Sequence, residues 1–205
     1  MSDENNDQNI DINNIIKLIL VGDSGTGKTN LINVAAGFDF DTGTVTTTSC
    51  SYVQKIMKKD NEQIKINLWD TIGQEKYRSL TKIFVKDSKI VIFVYDITKK
   101  ESFDSLKYWK KVVEDVLGKE AILGVVGNKI DLYLEEQVSE DEGREYANLI
   151  GAKFKLTSAK NAPNSVIEFI EQLVNDYLEK NKNNKERRSS VKLKKMGLEK
   201  KKKCC

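Results

Sequence analysis

The 205-residue chain contains no histidine, one proline (Pro163) and three cysteines, Cys50, Cys204 and Cys205. Without histidine, imidazole zinc sites, Ser-His-Asp hydrolysis and Cys-His hydrolysis are excluded. Three cysteines cannot build a disulfide framework, which points to a reducing compartment. Long apolar runs are missing too. The longest, 90–95, has six residues, far short of the roughly 20 that a spanning helix needs. Met1-Ser2-Asp3-Glu4 has no basic region and no apolar stretch after it, so no secretory signal is expected.

What is present is enough for one packed domain: 39% of residues are apolar and 32% charged. The net charge of +3 hides an asymmetry. Residues 180–205 hold 12 Lys/Arg against 2 Asp/Glu, whereas 1–179 hold 22 against 29. A net-acidic body argues against nucleic acid as a partner. Residues 1–14 are Asn/Asp-rich and aperiodic, as in a disordered acidic arm. Residues 180–205 read as a basic flexible tail. The domain between them is expected over 15–179.

Within that domain, Ile15–Val21 (IIKLILV) has the near-continuous apolar character of a buried parallel strand. A helix over 29–36 stops near Gly37. Strands are expected over 52–58 and 63–69, then at 90–95, 121–127 and 153–157. Helical spacing predicts one helix over 102–117 and another over 164–178. Ser139-Glu140-Asp141-Glu142 is a capping box that opens a third, Glu140–Ile150. Alternating strands and helices imply an α/β fold with a mostly parallel sheet and helices on both faces.

Four motifs fall at carboxyl ends of expected strands, where open α/β sheets bind ligands. The first, Gly22-Asp23-Ser24-Gly25-Thr26-Gly27-Lys28-Thr29, fits G-x-x-x-x-G-K-S/T between a strand and a helix. Its glycines let successive amides face phosphate oxygens at a helix N-terminus. Lys28 would reach the outer phosphates and the Thr29 hydroxyl would hold magnesium. In the second, Asp70-Thr71-Ile72-Gly73-Gln74, Asp70 suits a metal, the Gly73 amide can approach a terminal phosphate, and Gln74 can orient a water. The third and fourth are Asn128-Lys129-Ile130-Asp131 and Ser158-Ala159-Lys160. Asp131 can accept two hydrogen bonds from guanine, and adenine would leave that carboxylate unpaired. Lys129 can lay its stem over the base, and the Ala159 amide can donate to the guanine carbonyl.

The stretches GDSGTGKT, WDTIGQEKYRSL, FVYDIT, ESFDSLKYW, GNKID and TSAK resemble the Ras-like small GTPases, most closely the Rab family, over residues 15–178. The resemblance implies a three-layer P-loop NTPase fold with a six-stranded sheet, one strand antiparallel. It implies GTP/GDP and Mg2+ as cofactors. Asp23, Ser24, Gly25, Thr26, Gly27, Lys28, Thr29, Asn30, Phe40, Thr47, Gly73, Asn128, Lys129, Asp131, Ser158, Ala159 and Lys160 fall at nucleotide-binding positions. Among them Phe40 stands where the family stacks an aromatic on guanine. Thr29, Thr47 and Asp70 stand at the metal positions, and Gln74, Lys28 and Gly73 at the catalytic ones. Tyr52, Trp69 and Phe84 fall where Rab proteins present an aromatic triad to effectors.

The Cys204-Cys205 end after Lys200–Lys203 is also similar to the Rab family, and that resemblance implies dual prenylation. It also implies a place on the cytoplasmic face of intracellular membranes, cycling with the cytosol. The implied partners are an exchange factor, a GTPase-activating protein, effectors and a prenyl-binding escort, with the GTPase domain itself monomeric.

Three stretches depart from the family. Thr48-Ser49-Cys50-Ser51-Tyr52 stands for Ile-Gly-Val/Ile-Asp-Phe, Ile72 for alanine, and 83–88 (IFVKDS) for Tyr-Tyr-Arg-Gly-Ala. Two readings of function therefore stay open beside the slow GTP-hydrolysing traffic switch. One is a GTP-bound effector scaffold with little hydrolysis, for which Ile72 leaves room. The other is an ATP-using P-loop kinase, against which Asp131 argues.

Overall fold

The computed structural model describes residues 15–43, 47, 49–60, 62–73 and 78–202, with side chains omitted for 78–80 and 185–202. Six strands form one sheet: β1 (Ile15–Val21), β2 (Ser51–Lys59), β3 (Glu62–Asp70), β4 (Ile90–Asp96), β5 (Ile122–Asn128) and β6 (Lys153–Leu156). Their order is β2-β3-β1-β4-β5-β6. Only β2 runs antiparallel, paired with β3 from Ser51↔Asp70 to Lys59↔Glu62. The expected fold class is the observed one.

The central strands are apolar on both faces because both faces are covered. Along β1, Ile16, Leu18 and Leu20 join one core while Ile19 and Val21 join the other. β4 divides in the same way: Ile90, Ile92 and Val94 face the first core, and Val91, Phe93 and Tyr95 the second. The first core is closed by α1 (Lys28–Ala36) and α6 (Pro163–Lys202), through Leu31, Ile32, Phe169 and Leu173. The second is closed by α4 (Leu106–Leu117) and α5 (Glu140–Ile150), through Leu106, Trp109, Val113 and Ala147.

α2 (Arg78–Val85) contributes Val85 to this second core. Helix ends follow the sequence. α5 starts on the Ser139 capping box and stops at left-handed Gly151. α1 stops at left-handed Gly37.

Two local readings need correction, and one element was not anticipated. The helix expected over 102–117 is two pieces, α3 (Lys100–Asp104) and α4. The buried Ser102 hydroxyl accepts from the Asp96 N–H at 3.0 Å and donates to the Lys99 carbonyl at 2.7 Å, tying the first piece to the end of β4. A 3-10 helix over Ile130–Glu135 was not legible as such. The last helix, expected to end at 178, continues through Lys202. Beyond Pro163 it meets no proline and one glycine, Gly197, and 185–188 and 192–202 are rich in Lys, Arg, Glu and Leu, which are good helix formers. The 1–14 arm lies outside the described residues.

At Gly143 an added Cβ would overlap the Tyr95 hydroxyl and come within 2.6 Å of a Phe154 ring carbon. Gly→Ala inside a helix normally gains up to ~1 kcal/mol, but overpacking of this kind costs ~1–3 kcal/mol. Gly143→Ala is therefore expected to lower stability by about 1–2 kcal/mol. A urea midpoint at or above that of wild type would contradict this packing.

Candidate nucleotide and metal site

The four motifs meet on one rim of the sheet, around a cleft of about 410 Å³. Their elements bring them there. β1 delivers the phosphate loop, β3 delivers Asp70, and β5 delivers Asn128 in register with Asp96 of β4. Ser24, Gly25, Gly27, Lys28, Thr29 and Asn30 line the cleft on one side. Phe40, Thr47, Gly73, Asn128, Lys129, Asp131, Ala159 and Lys160 also line it, with Asp41, Thr42, Thr71 and Leu132.

At the phosphate end, Gly27 caps α1 in the left-handed conformation with φ 90°, and no side chain caps the helix. The first turn carries no acidic residue. The positive end of the helix is thus left for an anion. Lys28 is 5% exposed. Its ammonium donates to the Gly22 and Asp23 carbonyls at 2.9 and 2.8 Å. Burial pushes its pKa down to about 8, against the pull of the Asp70 and Asp23 carboxylates. A cation this deep, held by two carbonyls, is suited to an anionic ligand. Gly73 packs onto this loop so closely that a Cβ would lie 2.6 Å from the Lys28 ammonium and from the Ser24 nitrogen.

The metal candidates converge. The Thr29 hydroxyl donates to Asp70 Oδ2 at 2.7 Å and lies 2.8 Å from the Thr47 hydroxyl. Thr47 in turn donates to the same oxygen at 3.2 Å. Asp70 is 5% exposed, and its Oδ1 finds no partner among the described residues. No group of three Cys, Asp or Glu that could cage a metal occurs among the described residues. One carboxylate and two hydroxyls fit a small hard cation that also takes phosphate oxygens and water, as magnesium does.

At the base end, the Asn128 amide nitrogen donates to the Thr26 carbonyl at 2.9 Å, and its oxygen accepts the Ala159 N–H at 3.3 Å. Asp131 accepts from the Ser158 hydroxyl at 2.5 Å. That hydroxyl also accepts the Lys160 and Asn161 N–H groups, so the acid is braced by the loop after β6. Lys129 adopts φ 71° and its ammonium pairs with Asp96 at 2.7 Å.

Not every expected residue faces the cleft. Asp23, Thr26 and Ser158 do not line it. The Thr26 hydroxyl donates to the Asp23 carbonyl, and Ser158 braces Asp131. Gln74 lies outside the described residues, as do Cys204 and Cys205. Tyr52, Trp69 and Phe84 form a contiguous aromatic group, with centroids 5.0 Å apart for the first pair and 6.4 Å for the second. Lys17 sits over the Trp69 ring at 4.5 Å.

Sequence reasoning missed Asp96 and Trp109. Asp96 is fully buried and holds Lys129. Its only signal is an acid at the end of the apolar run 90–95. Trp109 is fully buried and donates to the Asp23 carboxylate at 2.9 Å. It reads in sequence as an ordinary core position on α4.

Comparison with known proteins points to one family. The Ras family profile matches residues 17–179. Ras-related protein Rab-21 of Geodia cydonium is 38% identical over 165 residues, 80% of this chain and 72% of that protein. Rab-21 of Homo sapiens is 40% identical over 144 residues, 70% of this chain and 64% of that protein. Ras-related protein Rab-8B of Pongo abelii is 35% identical over 150 residues, 73% of this chain and 72% of that protein. A family match over most of the chain, on a site built in this way, means that the chain belongs to the Ras family, as a small GTPase close to the Rab proteins.

Proposed function

We propose that the protein is a Rab-type switch in vesicle traffic that binds GTP with Mg2+, hydrolyses it slowly to GDP and changes partners as it does so. The observation that carries this is the meeting of Thr29, Thr47 and Asp70. It joins the phosphate loop, the segment before β2 and the end of β3 through hydrogen bonds of 2.7–3.2 Å.

Thr29, Thr47 and Asp70 would hold the magnesium ion, which supplies charge neutralisation for the phosphates when bound. Lys28 and the loop amides add positive charge where negative charge develops. Gln74 orients the attacking water, and the Gly73 amide meets the terminal phosphate. Asn128, Lys129, Asp131 and Ala159 bind the base, and Phe40 stacks on it. The only arginines are Arg78, Arg144, Arg187 and Arg188, and none is an evident arginine finger. Turnover is therefore slow alone and is raised by an activating partner, by on the order of 10⁵-fold in comparable switches. Loss of the terminal phosphate frees Thr47 and its segment, which changes the effector surface beside Tyr52, Trp69 and Phe84.

The domain 15–179 acts as a monomer between the acidic arm, 1–14, and the tail, 180–205. Cys204 and Cys205 carry two prenyl chains that hold the protein on the cytoplasmic face of intracellular membranes. One chain binds marginally, and two hold stably. An escort protein that covers the lipids returns it to the cytosol, and an exchange factor reloads it.

A second reading, a scaffold with little hydrolysis, draws on Ile72. This side chain is 7% exposed beside Gly73, where the family has alanine. Its bulk next to the glycine that meets the terminal phosphate slows hydrolysis.

Three measurements test these assignments. Asp131→Asn is expected to weaken GTP and GDP binding by roughly 100-fold or more and to remove preference over ATP in competition; retained guanine preference refutes the base assignment. In single-turnover hydrolysis, Ile72→Ala is expected to be faster by on the order of 10-fold, about 1.4 kcal/mol in the barrier. Equal rates with equal nucleotide affinity would remove the second reading. Cys204→Ser with Cys205→Ser is expected to shift the protein wholly to the soluble fraction of its native cells, and two unmodified thiols in the wild type would overturn the lipid anchor.

A further inference from the structure

Asn30 is the third residue of α1 and lies beside Thr29 at the mouth of the cleft. Its side chain makes a reciprocal pair with the backbone N–H and C=O of one residue eleven positions away. The amide nitrogen donates to the Asp41 carbonyl at 3.0 Å, and the amide oxygen accepts the Asp41 N–H at 3.2 Å. A primary amide is the side chain that offers a donor and an acceptor side by side, so it engages both backbone groups of one residue. The Asp41 carboxylate then accepts the Gly43 N–H at 2.8 Å, which tightens the turn that follows.

Residues 38–43 belong to no helix or strand. Phe40, the residue before Asp41, packs its ring against the first core and lines the cleft. The segment that carries Phe40 is therefore fastened from below by core packing and from the side by Asn30. Opening the cleft on this side means lifting 40–42 away from α1, and that motion breaks both hydrogen bonds of the pair.

We propose that the Asn30 side chain is a positioning residue that straps the 40–42 segment to α1, keeps Phe40 over the bound base, and thereby sets how slowly nucleotide leaves. The strap rests on the assignment of Phe40 to base stacking made above. It adds a side-chain role to a position whose backbone lies at the phosphate end. Release, spontaneous or driven by an exchange factor, has to undo it.

The test uses the full chain loaded with a fluorescent GDP analogue and magnesium, chased with excess GDP. Asn30→Ala removes both bonds and is expected to speed release about 5- to 10-fold. Asn30→Leu keeps the bulk without the polar groups and is expected to speed it equally. Phe40→Leu is expected to speed release at least as much. Adding Asn30→Ala to Phe40→Leu should then change the rate less than twofold, because the strap acts through the ring.

A release rate for Asn30→Ala within twofold of wild type, with Phe40→Leu fast, overturns the strap and leaves the stacking assignment intact. Slow release retained by Asn30→Leu shows packing in place of the hydrogen bonds and also overturns it. Fully multiplicative effects in the double variant do the same. Phe40→Leu without effect removes the stacking assignment and the strap with it.

Discussion

Asn128 is the joint on which the site depends. One amide group reaches the Thr26 carbonyl, 102 residues earlier in the chain, and the Ala159 N–H, 31 residues later. It is 2% exposed, so both bonds are made away from water. A Cβ on Gly27 would collide with its amide nitrogen, which shows how tightly the phosphate loop is laid against it. The loop Gly22–Thr29 and the loop that carries Asp131 are thereby held as one surface. Their relative placement comes from β1, β4 and β5 lying side by side in parallel register, which delivers their ends to the same rim.

The second constraint is electrostatic. The start of α1 gathers an uncapped helix terminus and a buried ammonium, while Asp70 contributes an acid that accepts from Thr29 in the first turn. Thr29 and Thr47 share one oxygen of that acid, and its other oxygen lies buried without a partner among the described residues. Such a site is poised, because its polar groups are only partly satisfied by each other. A phosphate and a divalent cation together balance both signs, and neither does so alone. Under the proposed function, this is why a segment tied to Asp70 through Thr47 would respond to the number of phosphates.

Much of this was legible in sequence, and the rest was hidden for definable reasons. The loop Gly22–Thr29 announces its place because its glycines sit between an apolar run and a helical pattern, so context and motif agree. Asp131 and Asn128 are readable for the same reason. The sheet follows from apolar runs of strand length separated by helical spacing. The break at Ser105 is not readable, since Phe103, Leu106 and Trp109 keep one apolar spacing across it while Ser102 is captured by β4. Lys129 with Asp96, Trp109 with Asp23, and Asn30 with Asp41 are invisible because each pair is decided by tertiary placement, up to 86 residues apart.

The Trp109–Asp23 contact gives the molecule an optical property. The chain has two indoles. One stands in the aromatic group beside Tyr52, and the other is sealed in the interior with its N–H on the phosphate loop. Indole emission is sensitive to the charge and polarity beside the ring, so the buried one watches the loop while its counterpart watches the outer face. The two indoles therefore place one intrinsic fluorophore against the loop Gly22–Thr29 and one in the aromatic group of Tyr52 and Phe84.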